Sequence, residues 1–275
     1  MRRYSPIWLM IIKLSSFSPL VIAAIFANAQ NENTLIVKQL PKSFSPVKDI
    51  DIGTVNSTNN SILQVDSIAN TNTISSYFCK VYSKSMQNIA LQIQTMDSWA
   101  KAFIQKFEIG FANYFLNACY ANNEGTLLPG SVWNCYYSSH NAKPWQLILI
   151  GVNAHINGDI WHALVDNFSE LEIRWYKKEI LATQSSIAKV YDDVFDTIKS
   201  ESSYLRFINF FTLGLAKKFG ERTFFKWRNR SINLAIMYYH NQKKFKRRLA
   251  VVTRKKQKID KLILSYRPST TNQKL

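Results

Sequence analysis

Apolar residues recur at helical spacing from position 74 onward, and the alternation typical of strands is rare. A first apolar stripe consists of Tyr77, Val81, Met86, Ala90 and Ile93. A second, aromatic stripe, which we expect in the core, consists of Trp99, Phe103, Phe107, Phe111 and Phe115. Asp97 precedes it and is a good N-cap residue. The pattern predicts an all-α fold, an irregular multi-helix bundle with a buried central helix.

The predicted central helix spans about residues 145–167 and begins after Pro144, because proline is tolerated in the first helical turn. The helix is apolar nearly all round, which is typical of a buried helix. At 100° per residue, four ionisable side chains form one stripe: His155, Asp159, His162 and Asp166. Buried charge is costly unless it is paired, hydrogen-bonded or bound to a metal. The stripe therefore needs a partner.

Two partners fit this stripe. The first is a divalent zinc, iron or manganese ion bound by the four side chains, with His140 in the preceding loop completing the site. The second is structural, a buried hydrogen-bond network in which His155 and Asp159 satisfy each other. In either case Asn153 and Asn157 are expected to hydrogen-bond neighbouring helices. Gly151 and Gly158 weaken the helix and predict close approach of another helix or a ligand.

The N-terminal residues predict export. A basic start with Arg2 and Arg3 is followed by a short apolar run over 20–26 and by Ala27-Asn28-Ala29, as in a cleaved signal peptide over 1–29. The mature protein would be periplasmic or secreted. We expect a flexible polar leader over 30–72, a helical domain over 73–242, including a helix from about 169 to 198, and a basic C-terminal helix and tail over 243–275.

The net charge of +17 lies in the last quarter of the chain. Residues 199–275 hold 20 Lys and Arg against 3 Asp and Glu, whereas the rest of the chain has 15 of each. The candidate anion contacts are Lys243, Lys244, Lys246, Arg247, Arg248, Arg254, Lys255 and Lys256. A basic amphipathic helix in an exported protein predicts peripheral contact with an anionic membrane surface or an acidic glycan. No feature predicts sequence-specific binding of nucleic acid.

The three cysteines leave two alternatives open. In an oxidising compartment Cys119 and Cys135 could form a disulfide across the turn-rich segment over 122–130. Alternatively, Cys79 and the other two are buried free thiols, since unpaired cysteine packs as a small hydrophobic residue. There is no Cys-x-x-Cys motif, so a cysteine zinc site or a thiol redox centre is not predicted.

The run from Gly151 to Asp159, Gly-Val-Asn-Ala-His-Ile-Asn-Gly-Asp, resembles the signature of the uncharacterised, mainly bacterial domain-of-unknown-function family 5995. The flanks over 111–115, 132–133 and Gln146 are similar as well, and the resemblance covers about residues 74–240. It implies a helical domain whose signature His and Asp correspond to His155 and Asp159. It implies no reaction, and His162 lies outside the signature.

Two functions follow from these observations. The first is a metal-assisted hydrolase acting on a phosphate ester or similar group, because a bound metal lowers the pKa of its water and supplies a nucleophile. The second is a non-catalytic cell-envelope protein that binds a partner or has a structural role. In that case the His/Asp stripe is a hydrogen-bond network. The sequence does not decide whether the protein is an enzyme.

Overall fold

The computed structural model describes residues 55–185 and 215–265, and within these ranges it contains helices and no strand. In chain order the elements are α1 (Val55–Ala69), α2 (Ile74–Ile93), α3 (Ser98–Asn123), α4 (Asn134–Ser138), α5 (Pro144–Ala154), a π-helical turn (His155–Asp159), α6 (Ile160–Asn167), α7 (Glu170–Trp175), α8 (Lys177–Ala182), α9 (Leu215–His240) and α10 (Gln242–Ser265). The prediction of an all-α, multi-helix fold is confirmed.

Local sequence explains where several helices begin. The Asp97 carboxylate accepts hydrogen bonds from the backbone N–H groups of Trp99 and Ala100, so it caps α3 as predicted. Pro144 is the first residue of α5, and Gln146 accepts a hydrogen bond from the Lys143 backbone N–H at 2.9 Å. These side chains satisfy backbone donors that a helix start leaves without partners. The central helix therefore begins where its sequence predicts.

The central helix consists of α5, the π-helical turn and α6, and it contacts α2, α3, α9 and α10. Its two glycines allow the close approach of α2 at Gly151 and of the turn before α4 at Gly158. A Cβ atom on Gly151 would lie 2.7 Å from Cδ2 of Phe78, and one on Gly158 would lie 2.7 Å from Cγ2 of Val132. Atoms cannot approach so closely without strain. The expected close approach of another helix is therefore confirmed at Gly151, whereas Gly158 makes room for a turn residue.

The aromatic stripe of α3 forms much of the core. Phe103, Phe107, Phe111 and Phe115 are buried, as predicted. Trp99 is 77% exposed, so its assignment to the core is wrong. It lies at the first turn of α3, before the neighbouring helices cover that face.

The predicted boundaries need three corrections. Residues 55–69 form α1, whose Val65 and Ile68 are fully buried, so the flexible leader does not extend to residue 72. The helix predicted from 169 is broken at Tyr176 into α7 and α8. Phe245, Val252 and Ile263 of α10 are buried in the core, so 243–265 belongs to the helical domain. The predicted signal peptide and the end of the 169–198 helix lie outside the described residues.

The three cysteines are free thiols, with Cys79 and Cys119 buried and Cys135 half-buried. The Tyr137 hydroxyl contacts Cys119 Sγ at 3.0 Å. Burial raises the pKa of the Cys119 thiol to about 12. Of the two alternatives that the sequence leaves open, the structure has the free thiols, and only Cys135 is partly exposed.

Candidate active site

The π-helical turn brings together a buried pair of ionisable side chains. Nδ1 of His155 lies 2.9 Å from Oδ2 of Asp159, and the two residues are 3% and 1% exposed. The indole Nε1–H of Trp133, just before α4, donates to the same Oδ2 at 2.9 Å. A π-turn inserted in an α-helix is rare and is frequently found at functional sites. His155 and Asp159 are therefore hydrogen-bond partners within this turn.

Aromatic rings surround the imidazole of His155. The Phe111 ring stacks on it with centroids 3.5 Å apart and an interplanar angle of 11°. The rings of Tyr82 and Phe78 meet it edge-on, with centroids at 4.5 and 5.3 Å. These rings come from α2 and α3, whose apolar stripes face the central helix. The imidazole is therefore fixed in an apolar environment, and its tilt is set by packing as well as by Asp159.

Burial decides the charge state of the imidazole. Burial lowers the pKa of His155 well below its usual value, and the nearby Arg228 guanidinium lowers it further. Burial also raises the pKa of Asp159, while the Trp133 hydrogen bond and the Lys256 ammonium act in the opposite direction. Because Oδ2 of Asp159 accepts from Trp133, we assign the proton between the pair to Nδ1 of a neutral His155. Nε2 is then a bare acceptor.

Three polar atoms in this part of the core have no hydrogen-bond partner: Nε2 of His155, the Tyr82 hydroxyl and Oε2 of Glu108. The other carboxylate oxygen of Glu108 pairs with the Arg228 guanidinium at 3.2 Å. Burial raises the pKa of the Tyr82 hydroxyl well above its usual value, and the charges of Glu108 and Asp159 raise it further. Buried polar atoms are nearly always satisfied, and each exception requires an explanation.

The other two members of the predicted stripe lie elsewhere. The backbone hydrogen bonds of a π-helical turn span one residue more than those of an α-helix, so α6 is rotated relative to α5. A helical wheel with a regular 100° step does not include this rotation. His162 is half-buried beside the Tyr114 ring, at a centroid distance of 5.5 Å, and the Tyr114 hydroxyl donates to the exposed Asp166. Among the described residues no group of three or more His, Cys, Asp or Glu side chains is placed to hold a metal ion. The four predicted ligands therefore do not share one site.

Asn153 and Asn157 face the opposite side of the central helix and hydrogen-bond to α9 and α10, as predicted. Asn153 Nδ2 donates to Asp260 Oδ1 at 2.7 Å and to the Lys256 carbonyl at 3.1 Å. Asn157 Nδ2 donates to Asn153 Oδ1 at 2.7 Å, and the Arg230 guanidinium donates to Asn157 Oδ1. Both amides are satisfied by protein groups. Their role is to hold α9 and α10 against the central helix.

His140 and Lys256 do not lie where the sequence predicts them to act. His140 lies exposed in the loop before α5 and has no place in the buried pair. Lys256 was predicted as an anion contact, but it is buried, lies 2.8 Å from Asp260 Oδ2 and donates to the Val132 carbonyl. Lys256 is therefore a core residue and is not one of the exposed cations of α10. No helix in the described ranges has the length and apolar character needed to cross a bilayer.

Sequence reasoning missed four residues of the site: Trp133, Tyr82, Glu108 and Arg228. Glu108 is the single acidic residue of α3 and follows Phe107 of the aromatic stripe, and an acidic residue in such apolar surroundings is a usable signal. Arg228 is hidden among the many cations of the C-terminal quarter. Its guanidinium donates to the Ile180 carbonyl at 3.1 Å and to Thr183 Oγ1 at 2.8 Å, and no local pattern indicates these partners.

Comparison with known proteins gives one match. A profile described as a family of unknown function (DUF5995) matches residues 61–265, about three quarters of the chain. No curated protein and no solved structure matches the chain. The match includes α2, α3 and the whole central helix, as well as the C-terminal helix α10. The chain therefore belongs to DUF5995, a family of unknown function.

Proposed function

We propose that this protein is a hydrolase in which His155 acts as the general base. The observation that carries the proposal is the buried, unpartnered Nε2 of a neutral imidazole whose other nitrogen is held by Asp159. A buried acceptor without a partner costs roughly 1–3 kcal/mol of stability. A functional role for the free Nε2 would account for a protein that bears this cost.

In the proposed reaction Nε2 takes a proton from water as the water oxygen attacks a carbonyl carbon. Asp159 stabilises the imidazolium through Nδ1–H, and Trp133 keeps the Asp159 carboxylate oriented. Burial keeps the Tyr82 hydroxyl protonated, so it can donate to the oxygen on which negative charge develops. The tetrahedral intermediate then collapses to the carboxylic acid and expels the leaving group, whose oxygen (ester) or nitrogen (amide) receives the proton from Nε2.

The surroundings of Nε2 favour an uncharged substrate. Phe78, Tyr82 and Phe111 present apolar rings to the imidazole, and transfer of a phosphate dianion into such surroundings is costly. The substrate class we propose is therefore a small carboxylic ester or amide, in place of the phosphate ester expected from the sequence. Access requires movement of the rings that cover the imidazole.

The test is hydrolysis of p-nitrophenyl acetate, p-nitrophenyl butyrate and p-nitrophenyl phosphate by the wild type and three variants. General-base catalysis contributes about 10²–10⁴-fold, so His155→Gln should lower kcat for the acetyl or butyryl ester by that factor. Tyr82→Phe should lower kcat by a smaller factor without a matching change in KM. His162→Gln is the matched control, because it replaces a half-buried histidine of the same helix outside the pair, and it should retain the wild-type rate.

Several results would overturn the proposal. These are the absence of ester hydrolysis, an unchanged rate in His155→Gln, and faster cleavage of the phosphate than of both esters. Elemental analysis of the wild type beside His155→Gln tests the metal-assisted version predicted from the sequence. About one equivalent of zinc, iron or manganese that is lost in the variant would make Nε2 a ligand and refute its role as a base.

The nearly complete burial of His155 and Asp159 favours one other function, a non-catalytic protein in which the pair is part of the core network. That function predicts no esterase activity in any variant. It also predicts that His155→Gln loses stability in urea, because the buried Asp159 then loses its contact with the imidazole and keeps only the hydrogen bond from Trp133. Activity in the wild type that survives in His162→Gln and disappears in a folded His155→Gln separates the two functions.

A further inference from the structure

The helix α10 has ten basic residues and one acidic residue. One of the basic residues and the acidic residue are buried in the core. Lys256 and Asp260 are buried and pair with each other at 2.8 Å. The remaining nine cations are all exposed: Lys243, Lys244, Lys246, Arg247, Arg248, Arg254, Lys255, Lys258 and Lys261. The outer surface of α10 is therefore exclusively basic in its charged groups.

Five of these cations form a straight ridge. At 100° per residue, they fall within about 60° of one another, on the side opposite the buried positions such as Phe245, Val252 and Ile263. The members of this ridge are Lys243, Arg247, Arg254, Lys258 and Lys261. At 1.5 Å per residue the ridge is about 27 Å long. Core packing thus orients a row of positive charge directly away from the domain.

Large apolar side chains are exposed near one end of the ridge. The Glu170 carboxylate of α7 lies 3.8 Å from the imidazole of His240, the last residue of α9, and α7 packs against α9. The start of α7 therefore lies beside the end of α9, where α10 begins. On α7, Leu171 and Trp175 are one turn apart and are 67% and 73% exposed. An exposed Trp beside clustered cations is typical of surfaces that enter the headgroup region of a bilayer.

We propose that the ridge of α10 docks the domain peripherally on an anionic phospholipid surface. A flat, negatively charged surface matches a straight row of five cations, and each Lys or Arg near such a surface contributes to binding. The exposed Leu171 and Trp175 fit the headgroup region, whereas phosphates of nucleic acid offer no partner for an aliphatic side chain. This proposal is independent of the reaction proposed for His155.

The test is flotation of the full chain with vesicles of phosphatidylcholine alone or with 30% phosphatidylserine at about 0.1 M salt. Removing three ridge cations in Arg247→Gln/Arg254→Gln/Lys258→Gln should weaken binding to the anionic vesicles about 100-fold. The matched control, Lys80→Gln/Lys84→Gln/Lys178→Gln, removes the same charge from exposed positions on α2 and α8 and should retain binding. Binding should also disappear at 0.5 M salt.

Each alternative result refutes the ridge as a lipid-docking surface. Equal binding of the ridge variant and the wild type would show that these cations do not contact lipid. Equal loss in the control variant would show that net charge alone governs retention. Stronger binding to a duplex DNA competitor than to anionic vesicles would make phosphates of nucleic acid the partner and overturn the proposal.

Discussion

Loss of the Lys256 ammonium should strongly destabilise the domain, although this residue lies in the most basic segment of the chain. Lys256 Nζ contacts Asp260 Oδ2 at 2.8 Å and donates to the Val132 carbonyl, and the two charged side chains are 8% and 3% exposed. In Lys256→Met the Asp260 carboxylate stays buried without its counter-charge. Breaking a buried pair in this way costs about 3–5 kcal/mol.

The assay is urea unfolding followed by circular dichroism, with the free energy of unfolding extrapolated to water. Lys255→Met is the control, because the adjacent Lys255 is exposed and should change the free energy by less than about 0.5 kcal/mol. In Lys256→Met/Asp260→Leu the buried charge is absent as well, so this variant should be more stable than the single one by at least about 1 kcal/mol.

A loss below about 1 kcal/mol in Lys256→Met would refute the reasoning, since it would place Lys256 and Asp260 in water. A double variant less stable than the single one would also contradict it. In that case the hydrogen bond from Asn153 to Asp260, at 2.7 Å, would matter more than the unpaired charge.

Three further predictions follow from the same core. Gly151→Ala should cost about 1–3 kcal/mol in urea unfolding, because its Cβ meets a buried ring, whereas Gly130→Ala, with nothing within 4 Å, should be near neutral. A thiol reagent at pH 8 should label only Cys135 in the native protein and all three thiols in denaturant, and complete native labelling would contradict the burial of the other two. Burial lowers the pKa of His155 in the folded protein. As pH falls through about 6.5, the imidazole therefore binds a proton in the unfolded chain but not in the folded one, and the free energy of unfolding decreases by up to about 1.4 kcal/mol per pH unit. The raised pKa of Asp159 increases stability as pH falls, but this effect is common to the wild type and to His155→Gln. Between pH 7 and 5.5 the wild type should therefore lose more stability than the variant.

The helices could be predicted because their signals are local. The Asp97 cap, the start at Pro144 and the spacing of the aromatic residues on α3 depend on neighbours within one or two turns. The α1 helix was missed because its sequence is rich in Asn, Ser and Thr, which favour turns in isolation. Its buried Val65 and Ile68 stabilise the helix only once α2 is present to cover them.

The candidate site was predicted in part for the same reason. His155 and Asp159 are four residues apart, and the contact between them is local. The π-helical turn places His155 and Asp159 away from His162 and Asp166. This turn depends on packing around the central helix, and no pattern in the sequence predicts it. Trp133, 26 residues before Asp159, and Arg228, 120 residues after Glu108, reach the site only through the tertiary fold.

The polar residues between Gly151 and Asp159 divide between two faces of the central helix, and this division indicates which residue to test first. Asn153 and Asn157 bind α9 and α10, and their contacts account for why a folded domain needs amides at those positions. His155 faces α2 and α3, where stability alone would be served by an apolar side chain among the rings of Phe78 and Phe111. Among the buried side-chain polar atoms of residues 151–159, Nε2 of His155 is the one without a hydrogen-bond partner. A role for this nitrogen beyond the fold is therefore the economical explanation for a histidine at this position.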